Sequence, residues 1–307
     1  MTREDLTLGP AAGHPIHAVF LEPEGEPRAV LQITHGMAEY IGRYADFAAY
    51  LTERGFAVAG HDHPGHGESV KTHDDLGIFG PGDNADALIL DMKAVTLEAK
   101  RRNPGLPVFL FGHSMGSVFV RRYMALYGGE IAGAVIAGTV WLSPALAKTG
   151  LNIARAVCRM KGTRSLSPLL DSITLGNNAK AFPGEGALAW LTSDPAVVAA
   201  YEADPLCGFP FTAGAYRDFF SIMLSVAKEE GFDNIRRSLP LLLISGEVDP
   251  VGGKRAVEKL AARYRELDFA DVTEKIFPGD RHEILNEVNR ADVYAYIAGW
   301  MEKRIRK

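Results

Sequence analysis

Cysteine is nearly absent: 307 residues carry two, Cys158 and Cys207. Two thiols with no C-x-x-C spacing exclude a disulfide framework and read as free thiols, with a single disulfide between them as the open alternative. Long apolar runs are missing as well. No stretch approaches the roughly 20 residues that span a bilayer. The mixed polar start Met1–Leu8 lacks the apolar core of a secretory signal, so the expected location is the cytoplasm. Nor is there an excess of positive charge, with 33 Lys and Arg against 38 Asp and Glu and a net charge of −5. With both signs interspersed, that balance gives no support to a nucleic-acid or anionic-membrane partner. A Walker A run and a G-x-G-x-x-G turn after a strand are both lacking, and no cofactor is expected. There is no internal repeat and no low-complexity segment.

What is present is pattern. Apolar residues make up 47% of the chain, and short β-rich runs alternate with helical spacing, which predicts βα units feeding a parallel sheet. A hairpin opens the chain, with its turn near Ala11–Gly13 and a return strand over Ile16–Leu21. Ala29–Thr34 reads as a buried strand, Arg43–Arg54 as an amphipathic helix ended by Gly55, and Phe56–Gly60 as the next strand. After the loop His61–Ser69 comes a long helix over Ala85–Arg102. Pro107–Phe111 is almost wholly apolar, as expected at the centre of a sheet covered on both faces. Ile131–Ala137 is another central strand. From Trp141 to about Arg237 the alternation fails and helical segments rich in Ala and Leu follow, including the exposed-looking apolar group Phe219, Phe220, Ile222, Met223 and Leu224. Strands return at Leu239–Ser245 and Thr273–Phe277, with helices over Lys254–Leu267 and at the C-terminus. Residues 1–140 and 238–307 therefore make one α/β core, mostly parallel with helices on both faces. Residues 141–237 are an inserted helical cap, too long to be a structureless loop.

Gly112-His113-Ser114-Met115-Gly116 matches G-x-S-x-G. Such a turn must hold a serine hydroxyl clear of its neighbours, and glycines two residues before and after let the backbone pass closely. The pattern alone is weak, but here it follows the most apolar strand and precedes a helix. A serine needs a base within hydrogen-bond reach. His282 follows the last strand through Pro278–Arg281, at the carboxyl edge where doubly wound sheets bind ligands. The acid comes from the loop after the preceding strand, Ser245–Pro250. Asp249 is preferred there because Pro250 fixes the chain after it; Glu247 is the alternative. The oxyanion needs two preorganised donors, for which the backbone N–H groups of Met37 and Met115 are the candidates.

The other histidines take plainer roles. His61, His63 and His66 resemble a metal cluster but alternate with Asp62, Pro64 and Gly65 in a tight loop, and are expected to brace the site through backbone hydrogen bonds without metal. His35 and His113 are expected to order their turns; His14, His17 and His73 carry no signal. His282–Glu283 does not begin a zinc-protease helix, since Asn286 stands where the second histidine would be.

Together, HGMAE at His35–Glu39, DHPGHGES at Asp62–Ser69, GHSMGS at Gly112–Ser117, SGEVDPVG at Ser245–Gly252 and GDRHEILNE at Gly279–Glu287 resemble the monoacylglycerol lipase and lysophospholipase branch of the α/β hydrolases. The resemblance implies Ser114, Asp249 and His282 as catalytic residues, Met37 and Met115 at the oxyanion positions, and a helical cap that includes Asp204–Cys207. It implies a serine ester hydrolase working through an acyl-enzyme on a lipid-like ester such as a monoacylglycerol or a lysophospholipid. An apolar cap suits an acyl chain, with Phe219, Phe220 and Leu224 as candidate substrate contacts and transient membrane contact through the cap. Short or xenobiotic esters, acyl transfer to an alcohol other than water, and a non-catalytic ligand-binding protein on this fold remain the competing readings.

Overall fold

In the computed structural model, which describes residues 1–9, 15–80, 82, 85–176 and 178–305, the apolar runs become eight strands. They are β1 (Thr2–Leu8), β2 (Ile16–Glu22), β3 (Ala29–Thr34), β4 (Phe56–His61), β5 (Val108–His113), β6 (Gly133–Ala137), β7 (Leu241–Gly246) and β8 (Val272–Phe277). One sheet contains them all, in the order β1-β2-β4-β3-β5-β6-β7-β8. β1 pairs antiparallel with β2 and β2 with β4; every pairing from β4 to β8 is parallel. The hairpin turn expected at Ala11–Gly13 lies outside the described residues, while its arms pair from Thr2 opposite Glu22 to Leu8 opposite Ile16.

The helices in chain order are α1 (Ala45–Thr52), α2 (Ala85–Arg102), α3 (Met115–Tyr127), α4 (Pro144–Lys161), α5 (Pro168–Thr174), α6 (Pro195–Ala203), α7 (Ala213–Ala227), α8 (Glu230–Asp233), α9 (Gly253–Glu266) and α10 (Arg290–Ile305). The helix expected over Arg43–Arg54 begins instead as a 3-10 turn at Ile41–Tyr44 and becomes α-helical at Ala45. Side chains alternate along each strand and so fill two layers. Phe109, Phe111, Leu242 and Ile244 join the core under α1 and α10, whereas Leu110, Leu241 and Leu243 join the core under α2, α3 and α9. From β3 the chain passes to β4 on one side and reaches β5 on the other, so the strand order reverses between β3 and β5. Open sheets bind ligands beyond the carboxyl ends of strands at such a reversal, and the loops leaving β3 and β5 carry the segments His35–Glu39 and His113–Ser114.

Between β6 and β7 the described residues hold α4 to α8, a 3-10 turn and one isolated bridge from Leu166 to Thr212, with no strand. The local sequence explains the starts of these helices. Side-chain oxygens of Ser143, Ser167, Asp194 and Thr212 accept from the backbone N–H of Leu146, Leu170, Ala196 and Ala215, and a proline follows three of the four caps. The structure corrects the expectation that the α7 apolar group is exposed. Phe219, Phe220, Ile222 and Met223 are all buried, because α7 is packed between α3 and α4 and carries apolar residues toward both.

One histidine without a sequence signal fastens the sheet edge. His17 on β2 places Nδ1 2.9 Å from Asp62 Oδ2 and Nε2 3.0 Å from Asp5 Oδ1. The Asp62 hydrogen bond and charge, against the cost of burial, raise its pKa from 6.5 to about 9. Asp62 also accepts from the backbone N–H of Ile41 and Glu68, so the protonated imidazole ties β1 and β2 to the loop after β4. A pKa raised on folding gives stability that is complete below the unfolded value and lost as pH rises through the folded one. The melting temperature is therefore expected to fall between pH 6.5 and 9 by roughly 2–4 °C for each kcal/mol lost. Thermal unfolding of His17→Gln across the same range should lack that component.

Candidate active site

Ser114 stands where β5 turns into α3, with φ 52° and ψ −118°, a left-handed backbone conformation that a residue with a side chain adopts only when its surroundings enforce it. Two enforcing contacts are visible. A Cβ on Gly116 would collide with the Thr34 carbonyl oxygen, and one on Gly112 with the Gly116 carbonyl, so α3 approaches β3 and β5 only because both positions are glycine. The Ser114 N–H is pinned to the Ala137 carbonyl at 3.0 Å. Its hydroxyl makes no hydrogen bond among the described residues and faces two cavities. Met37 and Met115 share the first of these with Ser114, and neither backbone N–H has an acceptor among the described residues.

The two candidate acids separate cleanly. Asp249 Oδ1 lies 3.0 Å from His282 Nδ1 and accepts the Val251 N–H at 2.8 Å, while Oδ2 accepts the Ser245 hydroxyl at 2.9 Å. Burial alone would push this carboxyl up; His282, the Val251 N–H and the Ser245 hydroxyl hold it below the usual range. Glu247 is exposed and accepts from the Gly279 N–H at 3.2 Å. His282 is buried and lines the second cavity together with Ser114.

Behind these groups lies a network only part of which the sequence suggested. Arg43 Nη1 is 2.7 Å from Glu39 Oε2, and its two amino groups hold Glu283 at 2.8 and 2.7 Å. Glu39 also accepts from the Gly36 N–H at 2.5 Å and the Tyr44 hydroxyl at 2.8 Å. Against the cost of burial, His113 and Arg43 keep its carboxyl well below the ordinary range. His113 Nδ1 is 3.5 Å from Glu39, and its Nε2–H points to the His282 carbonyl at 3.1 Å. Burial opposes the charged form of His113, and Glu39 outweighs it to raise the pKa. The Arg43 guanidinium packs over the Tyr201 ring at 4.8 Å, and the Tyr201 hydroxyl donates to the Ala38 carbonyl at 3.0 Å. Glu39 and Glu283 both sat inside quoted motifs, beside Met37 and His282. Arg43 and Tyr201 carried no signal, because their partners are remote in the chain.

Of the loop histidines His35, His63 and His66 bind backbone, whereas buried His61, against expectation, has no hydrogen-bond partner at either ring nitrogen among the described residues. His35 donates from Nδ1 to the Gly36 carbonyl and accepts the His63 N–H at Nε2 (2.8 and 3.0 Å), and His66 donates to the Pro64 carbonyl while accepting the Ala38 N–H (3.0 and 3.3 Å). His66 thereby holds Ala38, whose φ is 53°, in the turn that carries Met37. Burial lowers the pKa of His61 and of His66 to about 3, so both are neutral.

The first cavity, about 380 Å³, runs from Ser114 between α4, α5 and α7, with Leu142, Leu146, Ile153, Ile173 and Met223 among its walls. Phe219 and Phe220 line it as well. Leu224 is not among its walls; it is partly buried and packs against the core that α7 shares with α3 and α4. The second cavity, about 300 Å³, begins at the same serine and is lined by Glu39, Asp171, Trp190, Tyr201, His282 and Glu283, among others.

A strained serine at a strand-to-helix elbow, on a mostly parallel sheet of this order, defines an α/β hydrolase. The sequence profile of the serine aminopeptidase S33 family matches residues 25–289, and the chain belongs to that family. It is similar to a monoacylglycerol lipase of Mycolicibacterium smegmatis, 30% identical over 98% of this chain and 97% of that one. Human monoglyceride lipase is 26% identical over 96% and 89%. A thermostable carboxyl esterase from Bacillus coagulans, solved in complex with glycerol, superposes with a TM-score of 0.91, 27% identity and 99% coverage of both chains. The chain is a carboxylic ester hydrolase of the lipase and esterase kind.

The geometry favours Asp249 over Glu247 as the acid, a reading that turnover can test. Asp249→Asn should lower kcat by about 10⁴-fold, because it releases the imidazole tautomer that faces the serine. Glu247→Gln should stay within about threefold of the parent, in line with an exposed loop residue. Steady-state turnover of a soluble ester by both variants checks this.

Proposed function

We propose that the protein hydrolyses monoacylglycerol-like esters of long acyl chains through an acyl-enzyme on Ser114. The Ser114 oxygen attacks the ester carbonyl as its proton passes to His282 Nε2, with Asp249 holding the Nδ1–H. The carbonyl electron pair moves onto the oxygen, which the Met37 and Met115 N–H groups stabilise. His282 then gives its proton to the departing alcohol, and water attacks the acyl-enzyme by the same route reversed. The observation that carries the substrate class is the apolar cavity ending at Ser114, which suits an acyl chain. The cavity on the other side of the serine suits a small polar alcohol. Its walls include the carboxylates Glu39, Asp171 and Glu283 beside His113 and His282, a setting that favours an uncharged glycerol over a phosphate-bearing headgroup.

The inserted segment serves in this reading as a cap that docks on anionic lipid. Of the twelve large apolar side chains exposed among the described residues, six are Leu146, Met160, Leu166, Leu169, Ile173 and Leu175, and three of these line the acyl cavity. The stretch Ile131–Leu170 contains five Lys and Arg and no Asp or Glu, in a chain of net charge −5. Among the described residues no helix is long and apolar enough to cross a membrane, so the contact is peripheral.

Two measurements test this. Across p-nitrophenyl esters and 1-monoacylglycerols, kcat/KM should rise with acyl length by up to about fourfold per methylene, the equivalent of about 0.8 kcal/mol, until the cavity is filled. Ser114→Ala should be inactive throughout. A flat series would leave a short-chain esterase instead. In the second, the protein should sediment with phosphatidylcholine vesicles containing phosphatidylglycerol, less with phosphatidylcholine alone, and be released at about 1 M salt, where the screening length is about 3 Å. Met160→Ser/Leu169→Ser should lose vesicle binding while keeping turnover of a soluble ester. Equal binding to both vesicle types would sink the electrostatic part.

A further inference from the structure

A rail of hydrogen bonds joins the inserted segment to the loop carrying His282. Arg281 Nη1 donates to the Ala189 carbonyl at 2.5 Å, the His282 N–H to the Trp190 carbonyl at 3.3 Å and the Glu283 N–H to the Leu191 carbonyl at 2.7 Å. Further along, Thr192 Oγ1 donates to the Asn286 carbonyl at 3.0 Å, and the Ser193 N–H and hydroxyl both reach Glu287. Trp190 is thus held in register with His282, and their rings meet with centroids 5.2 Å apart and planes tilted by 39°.

We propose that Trp190 is the positioning residue for His282: its indole face keeps the imidazole aimed at Ser114 and shares the positive charge that ring acquires on taking the serine proton. This rests on the Ser114–His282–Asp249 reading. Asp249 fixes the imidazole at one atom, Nδ1, and leaves rotation about that contact open. His113 meets the ring with centroids 4.7 Å apart and binds the His282 carbonyl. Trp190 approaches from the inserted segment and limits the rotation. An indole is also the strongest aromatic partner for a cation, with a centroid within about 6 Å sufficing. The charged and titratable groups around the pair are Asp249 after β7, His113 at the end of β5, Arg281 with its partner Glu185 beside Ala189, and Glu39, Arg43 and Glu283 behind them. The indole neither gives nor takes an atom; the proton moves from Ser114 to His282 as before.

The test compares parent, Trp190→Phe and Trp190→Leu on a short soluble ester, with melting temperatures. Trp190→Leu should lower kcat about tenfold and leave KM within about twofold, and Trp190→Phe should recover most of the loss. A second readout is optical. A protonated imidazole quenches an indole it touches, so the parent's fluorescence should show a pH-dependent step that is absent from both Trp190→Phe and His282→Gln. A raised KM with unchanged kcat would make Trp190 a substrate wall and overturn the proposal. Equal losses in the Phe and Leu variants with lowered melting temperature, or a parent without the fluorescence step, would overturn it too. If Ser114→Ala and His282→Gln stayed active, the catalytic reading and this one would fall together. If those two were inactive while Trp190→Leu turned over at the parental kcat, only the role of Trp190 would fall.

Discussion

Three parts of the molecule meet on one guanidinium. Arg43, in the turn that leads into α1, binds Glu39 of the loop after β3 and Glu283 beside His282, and lies over Tyr201 of the inserted segment. All four side chains are largely buried, so the charges have little water to fall back on. Losing one partner of such a pair costs about 3–5 kcal/mol, because the other is left uncompensated. A buried ion cluster is a poor source of net stability, and its value here is spatial. Met37 belongs to the loop that Glu39 anchors, and His282 to the loop that Glu283 anchors. The distance between the proposed oxyanion donor and the proposed base is therefore set through Arg43, and Tyr201 extends the same constraint to Ala38 and the insertion.

The core was legible because its chemistry is local. Each proposed reactive group sits within a few residues of a strand end, and strand ends are what apolar runs and glycine spacing reveal. Ser114, His282 and Asp249 needed no knowledge of remote contacts, and the fold brings the last two together at 3.0 Å. The insertion was legible only as a break in the βα pattern. Helical spacing alone cannot say which side chains of α7 reach a cavity: Phe219 and Phe220 line the one that ends at Ser114, and Leu224 does not. His17 carried no signal because its acid partners Asp5, Asp62 and Glu68 are distant in sequence.

Net charge is a coarse measure for a different reason. A value of −5 averages over the whole chain, and averaging hides segregation. Thirty residues of α4 and its flanks, Trp141–Leu170, hold five cations and no carboxylate, while the cavity on the headgroup side of Ser114 is walled by three carboxylates. One end of the proposed substrate path thus lies beside a cationic stretch, suited to an anionic lipid surface, and the other is lined by polar and paired charged groups, suited to a neutral polyol. A composition count sees neither.

The hydrogen-bonded rail between Ala189–Ser193 and Arg281–Glu287 also limits how substrate can arrive. Swinging the whole insertion away about its junctions with β6 and β7 would break that rail, part Trp190 from His282 and withdraw Tyr201 from Arg43. The reactive constellation would be dismantled each time the site opened. Entry between α4 and α5 avoids this cost, because the exposed side chains of Leu146, Ile173 and Leu175 already rim the acyl cavity there. Neither helix takes part in the rail. A chain passing that way reaches Ser114 while Arg43, Trp190 and the loop of His282 keep their places, so the insertion can select the substrate at one edge and hold the base at the other.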